Sequence, residues 1–358
     1  MLNKSNNLTY AQSRAARDGE SGFTLIELMV SMIIFLIVTG AVFGVMRVAQ
    51  QSRSVVSLQS QMNQSVRVGL NLLGRDTYNT GFGYPLKNTV VLPDNRISTR
   101  LGIPPDFDTT RDTVPPVIAG NNVTLSTFNT TAGVRTDQVT FLFKDSTFNA
   151  SSGVSQPLNI NAASTTSGID EIVPISGSNS ECRINDIYLV TGNTGSTLGL
   201  ATGLTGGNKV QFANGDVLGF NQTGASGPLR GITTPASMYR VKMVTYFVTA
   251  DGILTRREFA NTTPAIPAVD SVDEPLVYGV ENFQIRYVMN DGSIVDNPSA
   301  GADGVPVTAD DDQTQLAAVR QVRYTISVRS TERNPTGQPT RVTMTSTFST
   351  RNLGYDAN

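Results

Sequence analysis

The sequence predicts an α+β protein, with one long N-terminal α-helix followed by a β-rich antiparallel head. Two observations predict this class. The run Leu28–Met46 contains no charged residue, and it is close to the ~20 residues needed to cross the core of a bilayer. From Asp76 onward, helical periodicity disappears and Thr, Ser, Asn, Gly and Val become frequent, which favours short strands and turns.

The apolar run opens on Gly22-Phe23-Thr24-Leu25-Ile26-Glu27, so that a carboxylate stands near its start. A carboxylate costs about 2.5–3.5 kcal/mol at the middle of a membrane helix, and less near an end. Thr24 and Glu27 have the spacing of a capping box, in which each side chain binds an amide of the first turn. That local role does not account for the Gly and Phe before them, or for the charged stretch between Arg14 and Glu20.

A secretory signal peptide is the first alternative for this run. Its apolar region is shorter, about 7–15 residues, and a cleavage site of small residues follows it. The nearest such site, Gly40-Ala41, lies inside the run, so a membrane helix is the better interpretation. Basic residues stand on both sides of the run, and charge therefore does not predict its orientation.

The helix is predicted to continue beyond the membrane run, from about Thr24 to Arg75. Apolar residues recur at spacings of three and four, which places them on one helical face: Val55, Leu58, Met62, Val66, Leu70 and Leu73. This half is expected to pack on the head. Gly40 and Gly44 have the GxxxG spacing that permits close helix packing. Local melting of the helix in an assembly is an alternative role for them.

The head is predicted to consist of short strands and turns. Ala250-Asp251-Gly252 and Asn290-Asp291-Gly292 are expected to be turns, and Asn334–Gly337 to join the last two strands. Alternation in these last strands predicts a half-buried sheet whose apolar face receives the helix. The candidate strands are Gln138–Phe143, Glu171–Ile175, Ile187–Thr191, Lys209–Phe212, Tyr239–Thr249, Ile253–Phe259, Val280–Tyr287, Val319–Arg329 and Arg341–Thr350.

Composition argues against catalysis and nucleic-acid binding. The chain has no His, a single cysteine (Cys182) and a net charge of −2 without a basic tract. No intrachain disulfide is therefore possible, and Cys182 is expected to be a small buried or surface residue. Gly203–Gly207 is expected to be a flexible loop rather than a phosphate site. The acidic groups Asp106, Asp108 and Asp112, and Asp303 with Asp310–Asp312, are expected to be solvated loops rather than Ca²⁺ sites, and no cofactor is predicted.

The string Gly22-Phe23-Thr24-Leu25-Ile26-Glu27 resembles the cleavage and methylation site of type IV prepilins. In that family, a prepilin peptidase cuts after the Gly and methylates the new amino terminus. The resemblance implies cleavage between Gly22 and Phe23 and N-methylation of Phe23. It also implies that Glu27 faces the amino-terminal charge of a neighbouring subunit in the filament core, because a buried carboxylate is tolerated when a cation pairs with it.

A second resemblance covers residues 238–352, where Tyr239–Val248, Asp251–Arg257, Leu276–Tyr287 and Val322–Val328 are similar to the PilW family of minor pilins. Together the two resemblances imply four segments. These are a leader peptide (1–22), an N-terminal helix (23–75, with 23–49 in the membrane or filament core and 50–75 amphipathic), an elaborated β-rich head region (76–235) and a C-terminal pilin-type β-sheet (236–358).

The resemblances imply a non-catalytic minor pilus subunit that contributes to assembly and priming and lies at or near the tip. Its expected partners are prepilin peptidase, the inner membrane, and other major and minor pilins through the N-terminal helix. It is expected to be a single-pass inner-membrane precursor, and later part of the filament at the cell surface. The alternatives are a J-type pseudopilin of type II secretion and a tip adhesin whose residues 80–235 bind a surface ligand.

Overall fold

The computed structural model describes residues 22–85, 90–105, 111–125, 128, 135–160, 170–221, 229, 232–260, 270–298, 313–334 and 337–353. The chain divides into two compact units, Met1–Ser54 and Val55–Asn358. The first contains the apolar part of a long helix. The second contains the rest of that helix and a β-rich head, so the predicted α+β class is confirmed.

The helices are α1 (Leu25–Asn79) and α2 (Arg96–Leu101), with 3-10 helices at Gln313–Ala318 and Arg351–Leu353. The first strands are β1 (Val90–Leu92), β2 (Asp112–Thr113), β3 (Val117–Thr124), β4 (Thr136–Lys144), β5 (Leu158–Ile160), β6 (Asp170–Pro174), β7 (Ile187–Gly192), β8 (Gly195–Leu200) and β9 (Gly203–Thr205). They are followed by β10 (Lys209–Ala213), β11 (Ala236–Val248), β12 (Ile253–Phe259), β13 (Ser271–Tyr278), β14 (Val280–Met289), β15 (Ile294–Val295), β16 (Val319–Arg333) and β17 (Pro339–Ser349).

The second half of α1 packs on the head through the face that its periodicity predicts. Val66, Leu70 and Leu73 are buried in the main hydrophobic core. The other three predicted residues, Val55, Leu58 and Met62, are half-buried. The helix ends at Asn79, a turn later than predicted, and Gly81 follows with a positive φ of 75°.

The larger sheet has ten strands and is organised around β11. The second half of β11 lies between β4 and β12, and its first half lies between β5 and β7. Strands from both sides of residue 236 therefore share one sheet. The pairing is antiparallel except between β1 and β8, which are parallel.

The smaller sheet has the order β15-β14-β16-β17, and its apolar face closes the main core. The predicted alternation in β16 is confirmed, since Val322, Tyr324, Ile326 and Val328 are all buried there. They share this core with the buried residues of α1. The half-buried sheet thus receives the helix, as the sequence predicts.

A single residue, Gly279, separates β13 in the larger sheet from β14 in the smaller one. Its φ is 74°, and a Cβ at this position would meet the carbonyl oxygen of Arg329. The Gly279 carbonyl accepts a hydrogen bond from the Arg329 amide at 2.8 Å. Only glycine satisfies both the left-handed backbone and this close approach, so this residue lets the chain pass between the sheets.

Every candidate strand is present, with its ends shifted by a few residues, and the two predicted Gly turns are confirmed. Several strands were not predicted. β3 contains Asn122, whose φ is 53°, and β13 contains Asp273, Glu274 and Pro275, which are rare in strands. The prediction that Gly203–Gly207 is a loop was wrong in part, because Gly203–Thr205 pairs with β10 as strand β9. Pairing with β10 outweighs the low strand propensity of glycine there.

One buried carboxylate joins the two sheets. Asp137 on β4 accepts a hydrogen bond from the Asn122 amide at 2.9 Å and another from the Ile285 amide of β14 at 2.7 Å. Burial raises the pKa of Asp137 to about 6, and the two amide hydrogen bonds only partly offset this effect. Asp137 therefore couples the packing of the sheets to protonation.

We expect Asp137 to make the protein less stable as pH rises from about 4 to about 6. Its carboxyl titrates near 3.8 when unfolded and near 6 when folded, so the folded state binds more protons within this window. The contribution is about 3 kcal/mol, present below the window and lost above it. Urea unfolding at several pH values gives the free energy of unfolding as a function of pH. The contribution of Asp137 is the difference between the slope of the unsubstituted protein and that of Asp137→Asn. Equal slopes in the two proteins would contradict this assignment.

Candidate assembly site at the start of the long helix

Helix α1 begins at a capped end. Gly22, Phe23 and Thr24 precede it without regular structure. The Glu27 carboxylate accepts a hydrogen bond from the Thr24 amide at 3.1 Å and another from the Thr24 hydroxyl at 3.0 Å. The Glu27 amide donates in turn to the Thr24 hydroxyl oxygen at 3.3 Å. The capping box predicted from the sequence is therefore present, and it fixes where the helix begins.

The capping interaction uses only part of the Glu27 carboxylate. All of its hydrogen bonds within the described residues go to Oε2, and Oε1 accepts none there. The Glu27 side chain is exposed, and it follows closely in the sequence after Phe23, which is 83% exposed. A negative charge is thus held at the helix start with one oxygen available to a cation.

The rest of this half of α1 presents apolar side chains outward. Each large apolar residue from Leu25 to Val48 is exposed in the isolated chain. The helix is long and apolar enough to cross a membrane, and none of its most apolar window is buried within the protein. An apolar surface of this size has to be covered by lipid or by other protein chains.

Gly40 and Gly44 lie in this exposed half, and a Cβ at either position would meet no atom within 4 Å. Their lack of a side chain therefore serves no contact inside the described chain. Both roles that the sequence leaves open, close helix packing and local melting, concern an assembly rather than the isolated subunit.

The other candidate sites give no catalytic or metal centre among the described residues. Asp112 lies in β2, whereas Asp106, Asp108, Asp303 and Asp310–Asp312 lie outside the described residues. Within the described ranges, no group of three or more His, Cys, Asp or Glu could hold a metal ion. Cys182 is buried, and burial raises the pKa of its thiol to about 11, so it is protonated at neutral pH.

Two buried ion clusters in the head were not predicted. In the first, Asp76 at the end of α1 accepts hydrogen bonds from Tyr246 Oη at 2.7 Å and from Arg256 Nε at 2.9 Å. Burial and the Asp76 charge together raise the pKa of Tyr246. Burial lowers the pKa of Arg256, but the Asp76 carboxylate more than offsets this and leaves it raised.

In the second cluster, Arg240 lies between Asp145 and Asp186, with nitrogen–oxygen distances of 2.9 and 3.1 Å. The partners in both clusters are far apart in the sequence, and no local spacing indicates them. Asp76 and Asp145 also line a cleft of about 500 Å³ in the head, together with Lys144 and Lys242. Because both carboxylates are engaged with arginines, we interpret these clusters as stabilising features of the head.

Comparison with known families points to the helix start. Residues 17–43 are similar to the family model described as the prokaryotic N-terminal methylation motif. No curated protein matches the chain. The motif supports a type IV pilin-like precursor, a class of generally non-enzymatic structural subunits that prepilin peptidase processes and that assemble with other pilins. Together with the apolar helix, it fits an inner-membrane precursor that is then assembled into the pilus.

Proposed function

We propose that this chain is a minor, PilW-like subunit of a type IV pilus, acting by assembly rather than catalysis. In this proposal, prepilin peptidase cleaves after Gly22 and methylates the amino group of Phe23. Helix α1 then leaves the inner membrane and packs among the helices of other major and minor pilins. The subunit helps to prime assembly and remains at or near the tip.

The observation that carries the pilin-type part of this proposal is the continuity of three features along one short segment, whereas the minor, PilW-like part rests on the resemblance of residues 238–352. The methylation motif covers residues 17–43, the capping box orders the backbone from Thr24 onward, and the apolar side chains that follow are exposed. A leader has to be cut at an accessible position, and Gly22 and Phe23 precede the helix in an exposed segment. An apolar helix without its own cover then needs neighbours.

Glu27 has a specific role in this proposal. Cleavage after Gly22 creates a positive amino group at Phe23, close in sequence to the carboxylate. Oε1 of Glu27 is available to the amino group of a neighbouring subunit while Oε2 caps the helix. A buried charge that has lost its partner is strongly destabilising. Because the Glu27 charge is paired only when the amino group of the neighbouring subunit lies beside it, this contact selects one axial position of each subunit relative to the next.

Processing gives the first test. We expect the protein extracted from membranes to begin at Phe23 and to carry one added methyl group, because the motif marks both reactions. Intact-mass measurement and N-terminal sequencing check this in cells with and without prepilin peptidase. Without the peptidase, the leader should be retained and the methyl group absent. A start at Met1 in both strains, or a cut beyond Gly40, would overturn the proposal.

Deleting residues 80–235, the region that would bind a surface ligand, would not test the adhesin alternative. That deletion would remove β4 and β7, which pair directly with β11. Loss of attachment would then report unfolding of the head. Substitutions confined to exposed turn residues such as Asn214, which lies outside the paired strands, leave the sheet intact and test whether filament number and attachment can be separated.

A further inference from the structure

Three arginines from two neighbouring strands line a cleft at one end of the smaller sheet. Arg329 and Arg333 come from the end of β16, and Arg341 comes from the start of β17. The cleft has a volume of about 330 Å³, which is within the range of small-molecule sites. No acidic residue lines it among the residues that the structure describes. Its other polar lining residues are Ser330, Thr331 and Gln338.

The register of the two strands places two of these arginines directly opposite each other. Arg329 on β16 is the partner of Arg341 on β17. Like charges at opposed positions of antiparallel strands destabilise the pair. The Glu281 carboxylate offsets part of this repulsion, since Arg341 donates to it at 2.8 and 2.9 Å. The sheet therefore keeps a like-charge pair that its own stability does not require, a kind of conflict that is typical of functional sites.

The guanidinium group of Arg329 has few partners for its depth. The Arg329 side chain is only 23% exposed, and its Nη1 lies 3.8 Å from Glu281, beyond hydrogen-bond distance. Its other side-chain contact within the described ranges is with the Phe128 ring, whose centroid lies 4.6 Å away. A guanidinium has five N–H donors, and polar groups that are largely buried are normally hydrogen-bonded. An acceptor bound in the cleft would satisfy these donors.

The charges around the cleft match a dianion better than a carboxylate. The three guanidinium groups share one carboxylate, Glu281, and Arg341 alone already holds that group in a bidentate contact. Glu332 is exposed and does not line the cleft. A phosphate monoester carries about −1.5 to −2 charges at pH 7 and offers three strong acceptor oxygens. Arginine binds such oxygens with two parallel hydrogen bonds, so several arginines can bind one phosphate group.

We propose that this cleft binds a phosphate monoester, with Arg329, Arg333 and Arg341 as its ligands. A soluble phosphorylated metabolite and a lipid headgroup that ends in a phosphate both present this group. Nucleic acid is a poorer match, because strong binding to its backbone takes many phosphate contacts and the chain has a net charge of −2. The site lies in the head and does not rest on the proposed pilus function, so cleavage at Phe23 can be measured separately.

A tryptophan reporter measures binding at the cleft. The chain contains no Trp, so a single introduced Trp gives the whole Trp signal. Gln338 lines the cleft, and its hydrogen bonds to Asn334 use the Gln338 backbone, so Gln338→Trp leaves them in place. With the full chain in a non-ionic detergent and a phosphate-free buffer, we expect glycerol 3-phosphate to change the Trp emission until it saturates. Asn214→Trp, at an exposed turn that does not line the cleft, should show no change.

Arg329→Gln, made in the Gln338→Trp chain, tests the central ligand. We expect the half-saturating concentration of glycerol 3-phosphate to rise about ten- to a hundredfold, because charge-assisted hydrogen bonds are lost. Arg323→Gln is the matched control, since Arg323 lies on the same strand about 20 Å away and does not line the cleft. It should bind like the reporter alone. Without ligand, Arg329→Gln should unfold at the same temperature as the reporter, because a like-charge pair is removed. Unchanged binding in a folded Arg329→Gln chain would overturn the proposal.

A second ligand identifies the source of the phosphate group. If dihexanoyl phosphatidic acid binds more tightly than glycerol 3-phosphate, and this binding is weakened in Arg329→Gln, the group belongs to a lipid headgroup. Equal binding of the two indicates a soluble ligand. The melting temperature of the unsubstituted chain is an independent readout, because a ligand of the folded state raises it. The proposal fails if neither emission nor melting temperature responds, if sulfate acts as strongly as glycerol 3-phosphate, or if only a DNA duplex binds.

Discussion

Replacing Glu27 by glutamine is expected to reduce incorporation of the subunit into filaments by about ten- to a hundredfold, a free-energy loss of about 1.4–2.8 kcal/mol. Glutamine serves in a capping box as well as glutamate, so the hydrogen bonds from the Thr24 amide and hydroxyl are retained. The negative charge alone is removed. The amino group of a neighbouring Phe23 would then be buried without a counter-ion, which is strongly unfavourable in an apolar core.

Thr24→Ala is the matched control for this experiment. It removes the hydroxyl that accepts from the Glu27 amide at 3.3 Å, and loss of such a cap costs about 0.5–2 kcal/mol of helix stability. It leaves the carboxylate charge in place. We therefore expect the Thr24 variant to assemble better than the Glu27→Gln variant, although its helix start is less stable.

The readout is the amount of each variant in sheared filaments relative to membranes, with cleavage at Phe23 confirmed in both. If Glu27→Gln assembles normally and Thr24→Ala does not, capping is the whole role of Glu27 and the register proposal fails. If both are processed and only Glu27→Gln is excluded, the charge is the required feature. Processing and assembly are thereby measured as separate steps.

Local patterns predicted the parts of the fold that depend on neighbouring residues. The apolar face of α1 and the alternation in β16 follow from sequence spacing, because each face meets a single core. The capping box was predicted because Thr24 and Glu27 are three residues apart. Strands such as β13 were missed because their residues oppose strand formation locally, and pairing with β12 overrides that preference.

The features that join distant segments could not be predicted in this way. The Asp76 cluster brings together residues about 170–180 positions apart, and Asp137 reaches an amide 148 positions away. Nothing in the spacing of Asp76 distinguishes a buried carboxylate from a solvated one at a helix end. The sequence-based end of the helix at Arg75 even placed Asp76 outside it, whereas the structure has it inside α1.

Replacing Asp76 by alanine is expected to destabilise the head by about 3–5 kcal/mol. The Asp76 side chain is 2% exposed, and that of Arg256 is 10% exposed. Without the carboxylate, Arg256 keeps Glu258 at 3.2 Å, but Tyr246 Oη loses its hydrogen-bond acceptor. A buried cation with an incomplete set of partners and an unsatisfied hydroxyl are both costly. Thermal unfolding should show a melting temperature lower by about 10 °C.

Arg75→Ala is the control for Asp76→Ala, because it removes an exposed charge at the end of the same helix and leaves the buried Asp76 carboxylate in place. The Arg75 side chain is 58% exposed and contacts the other oxygen of Asp76 at 3.1 Å, so its removal should cost less than about 1 kcal/mol.

The double variant Asp76→Ala with Arg256→Met removes the uncompensated cation as well. It should recover part of the stability lost in Asp76→Ala, because replacing both members of a buried pair is better tolerated than removing one. If the double variant is no more stable than Asp76→Ala, the unpaired Arg256 charge is not the source of the stability lost in Asp76→Ala. In that case, packing against the core holds the end of α1, and this ion cluster does not.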